Sequence, residues 1–225
     1  MLFLILVSIA IVTACTQQQT TTPITKKPLV NTISDKPEEA VMPEMTQELK
    51  DLLAKINTIQ SYSFIDHQTK DEYLIRDDKI RINLFQKRGT KELGQYDTVY
   101  LDTTNKKAYG ICLDKLCDIR LREKYLTPSY DTYKLEQTPV ARVKAIQYAE
   151  LTGRTQQIHN VPTYQIVFTE NNITTEMWLH NFYAYPMEIK ITKKGIQTNI
   201  SFDKVTINNI NIEEVTLPSS YTPLE

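Results

Sequence analysis

Cys112 and Cys117 stand as a Cys-x4-Cys pair in the segment Tyr109-Gly110-Ile111-Cys112-Leu113-Asp114-Lys115-Leu116-Cys117. Thiolates so spaced can hold half of a metal site, act as a reactive pair, or close a disulfide. A metal site needs further soft ligands. The chain has 3 cysteines in all, and its 3 histidines, His67, His159 and His180, lie far apart in sequence with no ligand spacing. Each histidine reads as a surface or rim residue. In an oxidising compartment the expectation is one disulfide clipping a tight loop, worth about 2 kcal/mol on a chain-entropy account. A reactive thiol pair is the alternative. No H-E-x-x-H, G-x-S-x-G, G-x-G-x-x-G or phosphate-cradling glycine loop occurs. Asp77-Asp78 and Glu213-Glu214 read as turn or edge pairs. The expectation is a non-enzyme with no cofactor and no metal.

The third cysteine, Cys15, closes the apolar run Leu2–Ala14. That run is shorter than the ~20 residues a membrane-spanning helix needs, but it suits the apolar region of a signal peptide. Val12-Thr13-Ala14-Cys15 resembles the lipobox of prokaryotic lipoproteins. The resemblance implies that residues 1–14 are a leader and that Cys15 becomes the lipid-bearing N-terminus, anchored to the outer face of a cell membrane or envelope. Residues 15–42, rich in Thr, Gln and Pro, cannot bury enough apolar area to offset their ordering entropy. They read as a disordered tether with a mean reach of about 30 Å. Residues 43–225 then form one domain of ordinary size. With 26 basic and 27 acidic residues, a net charge of −1 and no long block of one sign, nucleic-acid binding is excluded as an expectation. A monomer is expected.

The elements behind these residues are legible from periodicity. From Pro43, Met45, Leu49, Leu52, Leu53 and Ile56 form one apolar stripe on a helix. Beyond Ser61 the period becomes two, as in Lys79-Ile80-Arg81-Ile82-Asn83-Leu84. Asp77-Asp78 joins that strand to Glu72–Arg76. Further hairpins are expected at Thr98–Leu101 with Lys107–Cys112, at Thr163–Thr169 with Ile173–Leu179, and at Met187–Thr192 with Ile196–Phe202. Between the halves, 121–139 is polar and tyrosine-rich, and Pro139 opens a helix expected over Val140–Leu151. Of the 13 tyrosines, Tyr96, Tyr100, Tyr109, Tyr125, Tyr130 and Tyr133 cluster around this insert, either as half-buried caps on a thin core or as a recognition surface. Asn172-Ile173-Thr174 and Asn199-Ile200-Ser201 match the glycosylation triplet. Only Asn172, expected at a turn, carries weight.

A helix, a meander, a central interruption and further hairpins resemble the periplasmic lipoprotein-carrier (LolA/LolB-like) lipid-binding superfamily. The likeness is clearest over 161–222. There Thr175-Glu176-Met177-Trp178-Leu179, Tyr185-Pro186-Met187-Glu188-Ile189-Lys190 and Leu217-Pro218-Ser219-Ser220-Tyr221 match the family's strand and closing phrases. The resemblance implies an α+β fold: a strongly curved antiparallel sheet, a half-open barrel, with the N-terminal helix and a short central helix over its concave face. It also implies an apolar cavity for a lipid or an acylated protein. The candidate cavity residues are Leu52 and Ile56 on the helix, with Ile80, Ile82, Leu84, Ile166, Phe168, Met177, Ile189 and Ile191 on strand stripes. The competing expectation is an envelope interaction lipoprotein that docks a protein through the tyrosine-rich insert.

Overall fold

The computed structural model describes residues 44–90, 94–115 and 117–224. The leader, Cys15 and the tether lie outside the described residues. Helix α1 (Gln47–Ala54) starts where Thr46 caps it, its Oγ1 accepting from the Leu49 N–H at 3.3 Å. A 3₁₀ turn, Lys55–Thr58, continues it. Leu49, Leu52 and Ile56 are buried, so the stripe read from the sequence is the face that packs.

Five strands follow as a meander: β1 (Ser61–Asp66), β2 (Glu72–Arg76), β3 (Lys79–Thr90), β4 (Gly94–Asp102) and β5 (Lys107–Ile111). The chain then crosses over through a 3₁₀ turn (Ile119–Leu121), β6 (Lys124–Tyr125), α2 (Tyr130–Tyr133) and α3 (Pro139–Lys144). A second meander returns as β7 (Glu150–Ile158), β8 (Val161–Glu170), β9 (Ile173–His180), β10 (Pro186–Lys193) and β11 (Ile196–Ile207). Helix α4 (Ile212–Val215) and β12 (Thr222–Pro223), which pairs with β6 in parallel, end the described chain.

The ten long strands form one sheet in the order β5-β4-β3-β2-β1-β11-β10-β9-β8-β7, antiparallel throughout. The sheet therefore starts at its centre, runs out to one edge, crosses, and comes back from the other. It is the α+β, open antiparallel sheet expected. Register shifts in β1/β11, β3/β4, β7/β8 and β9/β10 mark bulges, which bend strands and add twist.

Register aligns the stripes. Tyr62, Ile75, Ile80, Leu101 and Ala108 follow one another across β1–β5, and Ile189, Met177, Ile166 and Leu151 across β10–β7. These rows, α1 and Val140 and Val143 of α3 share one apolar core. Fully burying each Ile, Leu or Met contributes about 1.5–3 kcal/mol. On the opposite face Leu74, Ile210 and Val215 form a small second cluster where α4 packs on β2 and β3.

One expectation is corrected. The helix read over Val140–Leu151 is only α3, and Leu151 sits on β7 paired with Ile166. Val143, Ile146 and Leu151 keep a helix-compatible spacing, yet the chain must extend after Lys144 to reach the open edge of β8. Ladder pairing with β8 outweighs local periodicity there.

Candidate functional site

Helix α3 is short and firmly placed. The Thr138 Oγ1 accepts from the Ala141 N–H at 3.2 Å, and Pro139 occupies the first turn, where its missing N–H is no loss. Val140 and Val143 are buried under it. The segment after it, Ala145 to Tyr148, lines a space together with residues of β8, β9 and β10, and Ile146 packs against the core. That space is a groove of about 420 Å³. Phe168 and Ile191, half-buried, supply its apolar floor over the packed core residues Met177 and Ile189, and Ile146 and Ile173 also line it. Arg142, Gln137 and Glu170 supply its polar margin, and the Tyr148 hydroxyl donates to the Glu150 Oε1 at 2.5 Å. That hydrogen bond raises the Tyr148 hydroxyl above its usual range.

The candidate cavity residues separate into groups. Phe168 and Ile191 meet in the groove, and Met177 and Ile189, at 3% and 0% exposure, are packed core directly beneath it. Leu52 faces a cleft of about 440 Å³ with Glu48, Asp51, Leu151 and Tyr164. Ile56 borders a cleft of about 330 Å³ beside Met45, Leu53 and Ile146. Ile80 touches a further cleft with Tyr62, Ile75 and Val140. Ile82 and Ile166, at 1% and 0% exposure, are packed core, and half-buried Leu84 packs against that core. The sequence places Val143, Ile146 and Tyr148 on a central helix over the concave face but does not single out Arg142, and the helix ends at Lys144. Val140 and Val143, both buried, fix the inward face of α3.

Cys112 and Cys117 are joined as a disulfide, with Cα atoms 5.9 Å apart. Asp97 of β4 pins the loop they close: its carboxylate accepts the backbone N–H groups of Leu113 and Asp114, each at 3.0 Å, and the Thr98 hydroxyl at 3.0 Å. Asp97 and both sulfurs lie within 4.8 Å of one another, but sulfurs bonded to each other have no thiolate for a metal. The insert's tyrosines largely pair among themselves. The hydroxyls of Tyr96 and Tyr133 are 2.9 Å apart, and the rings of Tyr109 and Tyr125 meet edge-on at 5.1 Å. Gly110 permits this packing, since a Cβ there would meet the Tyr96 ring at 2.8 Å.

Two histidines distant in sequence share one carboxylate. His67 Nδ1 lies 2.9 Å and His159 Nε2 3.2 Å from Asp203, with Lys70 at 3.7 Å. Burial pushes the Asp203 carboxyl up, but the His67 hydrogen bond and the charges of His67, His159 and Lys70 outweigh it and hold the group below its usual value. His180 is separate: its Nδ1 accepts the Phe182 N–H at 3.0 Å, and burial lowers its pKa. Asn172 lies exposed in the turn between β8 and β9.

No helix among the described residues is long and apolar enough to cross a membrane. No family model matches the sequence, and no curated protein matches it. Solved structures similar to this chain include MucB, with a TM-score of 0.45 and 10% identity, covering 79% of this chain and 66% of that one. LprF from Mycobacterium bovis gives 0.47 and 12%, covering 78% and 96%. A LolA superfamily protein from Nitrosomonas europaea gives 0.26 and 8%, covering 75% and 97%. The family named from the sequence is thus represented among the structural neighbours. At these identities and scores the likeness carries no argument about ligand or activity.

Proposed function

We propose that this chain is an extracytoplasmic binding module, tethered to a membrane by lipid on Cys15, that holds the acyl chain of a lipid or of an acylated protein and catalyses nothing. The observation behind the binding role is the groove between α3 and β8–β10, about 420 Å³ with an apolar floor. That volume falls within the ~300–1,000 Å³ usual for small-ligand sites. Burial at about 25 cal/mol per Å² makes a methylene chain a favourable occupant. The competing reading, a protein docked on the tyrosine-rich insert, loses support because Tyr96, Tyr133, Tyr109 and Tyr125 are engaged with one another.

A fluorescent fatty-acid probe is expected to bind saturably, and Ile191→Asp is expected to weaken it at least about tenfold while the fold persists, since a carboxylate would be placed against the chain. Ile191 is only half-buried, so the substitution tests the groove more than the core. Unchanged probe affinity in Ile191→Asp would count against this site. The anchor is tested separately. Cys15→Ser should abolish the mass increment of lipidation and release the chain from membranes, because two chains anchor stably where one is marginal. A variant still lipidated and membrane-bound would refute the Cys15 assignment.

A further inference from the structure

One charged side chain on the groove wall has no side-chain partner among the described residues. Arg142 lies on the flank of α3 that faces β8–β10, whereas Lys144 lines the clefts on the other flank, toward α1 and β2. The buried pair Val140 and Val143 fixes the helix rotation that makes this division. Among the described residues Arg142 makes no ion pair, and its guanidinium donates no hydrogen bond. Glu170, the acid that lines the same groove, does not pair with it, and Glu150 is taken by the Tyr148 hydroxyl.

A guanidinium is always charged and presents its N–H groups as a rigid fork that fits a carboxylate or a phosphate bidentately. Here the fork stands at the margin of an apolar floor to which Phe168 and Ile191 contribute. A neutral chain would gain apolar burial and leave the fork to water. An anionic amphiphile would gain both contacts, in a groove walled by low-dielectric side chains that strengthen the pairing. We propose that the groove selects an acyl chain bearing an anionic head, carboxylate or phosphate, with Arg142 as the group that recognises the head. This rests on the acyl-binding reading above and adds the class of ligand.

Calorimetric titration of the full chain with decanoate, decyl phosphate and decanol separates the possibilities. At least one anion should bind at least about tenfold more tightly than decanol. Arg142→Gln should bring that anion down to the decanol value without changing decanol itself. Arg142→Lys, which keeps the charge but not the fork, should fall between. The anion that gains more identifies the head as carboxylate or phosphate, and either upholds the proposal. Equal binding of anions and alcohol, or an anion preference that survives Arg142→Gln, overturns the head-group assignment and leaves the groove. No binding of any of the three overturns the assignment and the acyl-binding reading together. Arg142 is half-buried and makes no ion pair among the described residues, so near-wild-type thermal unfolding of the variants is the expected control.

Discussion

Tyr185 is the least comfortable residue in the core. It is 0% exposed, and its hydroxyl has no hydrogen-bond partner. Burial first, and the neighbouring Tyr62 second, push that hydroxyl well above its ordinary pKa. The ring itself is well placed, 5.6 Å from Tyr62 and 6.0 Å from Phe202 between centroids. Tyr62 shows the contrast: burial pushes it up to about 12, while hydrogen bonds with the Thr138 side chain and the Val140 backbone work against that rise. An unsatisfied buried hydroxyl costs about 1–3 kcal/mol. Tyr185→Phe keeps every ring contact and removes the orphan, so it should raise the unfolding free energy by about 1 kcal/mol, or about 2–4 °C in Tm for a domain of this size. A lowered Tm would mean that the hydroxyl holds a partner, and the account of this core would have to change.

The elements show where local sequence suffices and where it does not. The turn between β8 and β9 uses Asn171 and Asn172, both left-handed, and the turn between β10 and β11 uses Lys194 and Gly195 in the same way. Such pairs set a two-residue hairpin whose twist matches its strands, so the hairpins and the cavity stripes they carry were readable from turn chemistry and alternation. His159 and Asn160 make the same turn between β7 and β8, yet β7 escaped notice. Its residues Glu150–Ile158 are almost all exposed, so no buried face imposes alternation. A register shift between Leu151 and Thr155, with Gly153 at φ 73°, breaks its ladder and blunts the open edge against pairing with other chains. Arg142 is hidden from the sequence for a related reason. Arg142 and Ile146 reach β10 through a crossover, and the partners of such a contact leave no mark in the local period. The paired cysteines, by contrast, were legible because a short loop closes on itself.

At the scale of the molecule, the two five-strand meanders touch through one ladder, β1 with β11, and through whatever bridges their faces. That seam is aromatic. Phe64 of β1 meets Phe202 of β11 edge-on at 5.0 Å, and Tyr62 meets Tyr185 beside them. Ser63 and Thr206 add a hydroxyl pair at 2.6 Å on the same ladder. Above the seam, α1 and α3 place Leu49, Leu52, Val140 and Val143 in a core that also contains Ile82 and Leu101 from one half and Met177 and Ile189 from the other. Neither half could bury its stripe without those helices, and the helices are too short to persist alone. The halves should therefore unfold as one cooperative unit. Trp178, the one tryptophan, sits on β9 and reports the second half, while far-ultraviolet circular dichroism reports both. In guanidinium the two signals should give coincident transitions with one midpoint and one slope. Phe202→Ala, which cuts the seam, should lower that midpoint by the equivalent of about 3–5 kcal/mol without splitting the transition. A tryptophan transition displaced from the circular dichroism would show two separable halves, and the groove, whose floor and wall come from the second half and the crossover, would then have to be sought in that part alone.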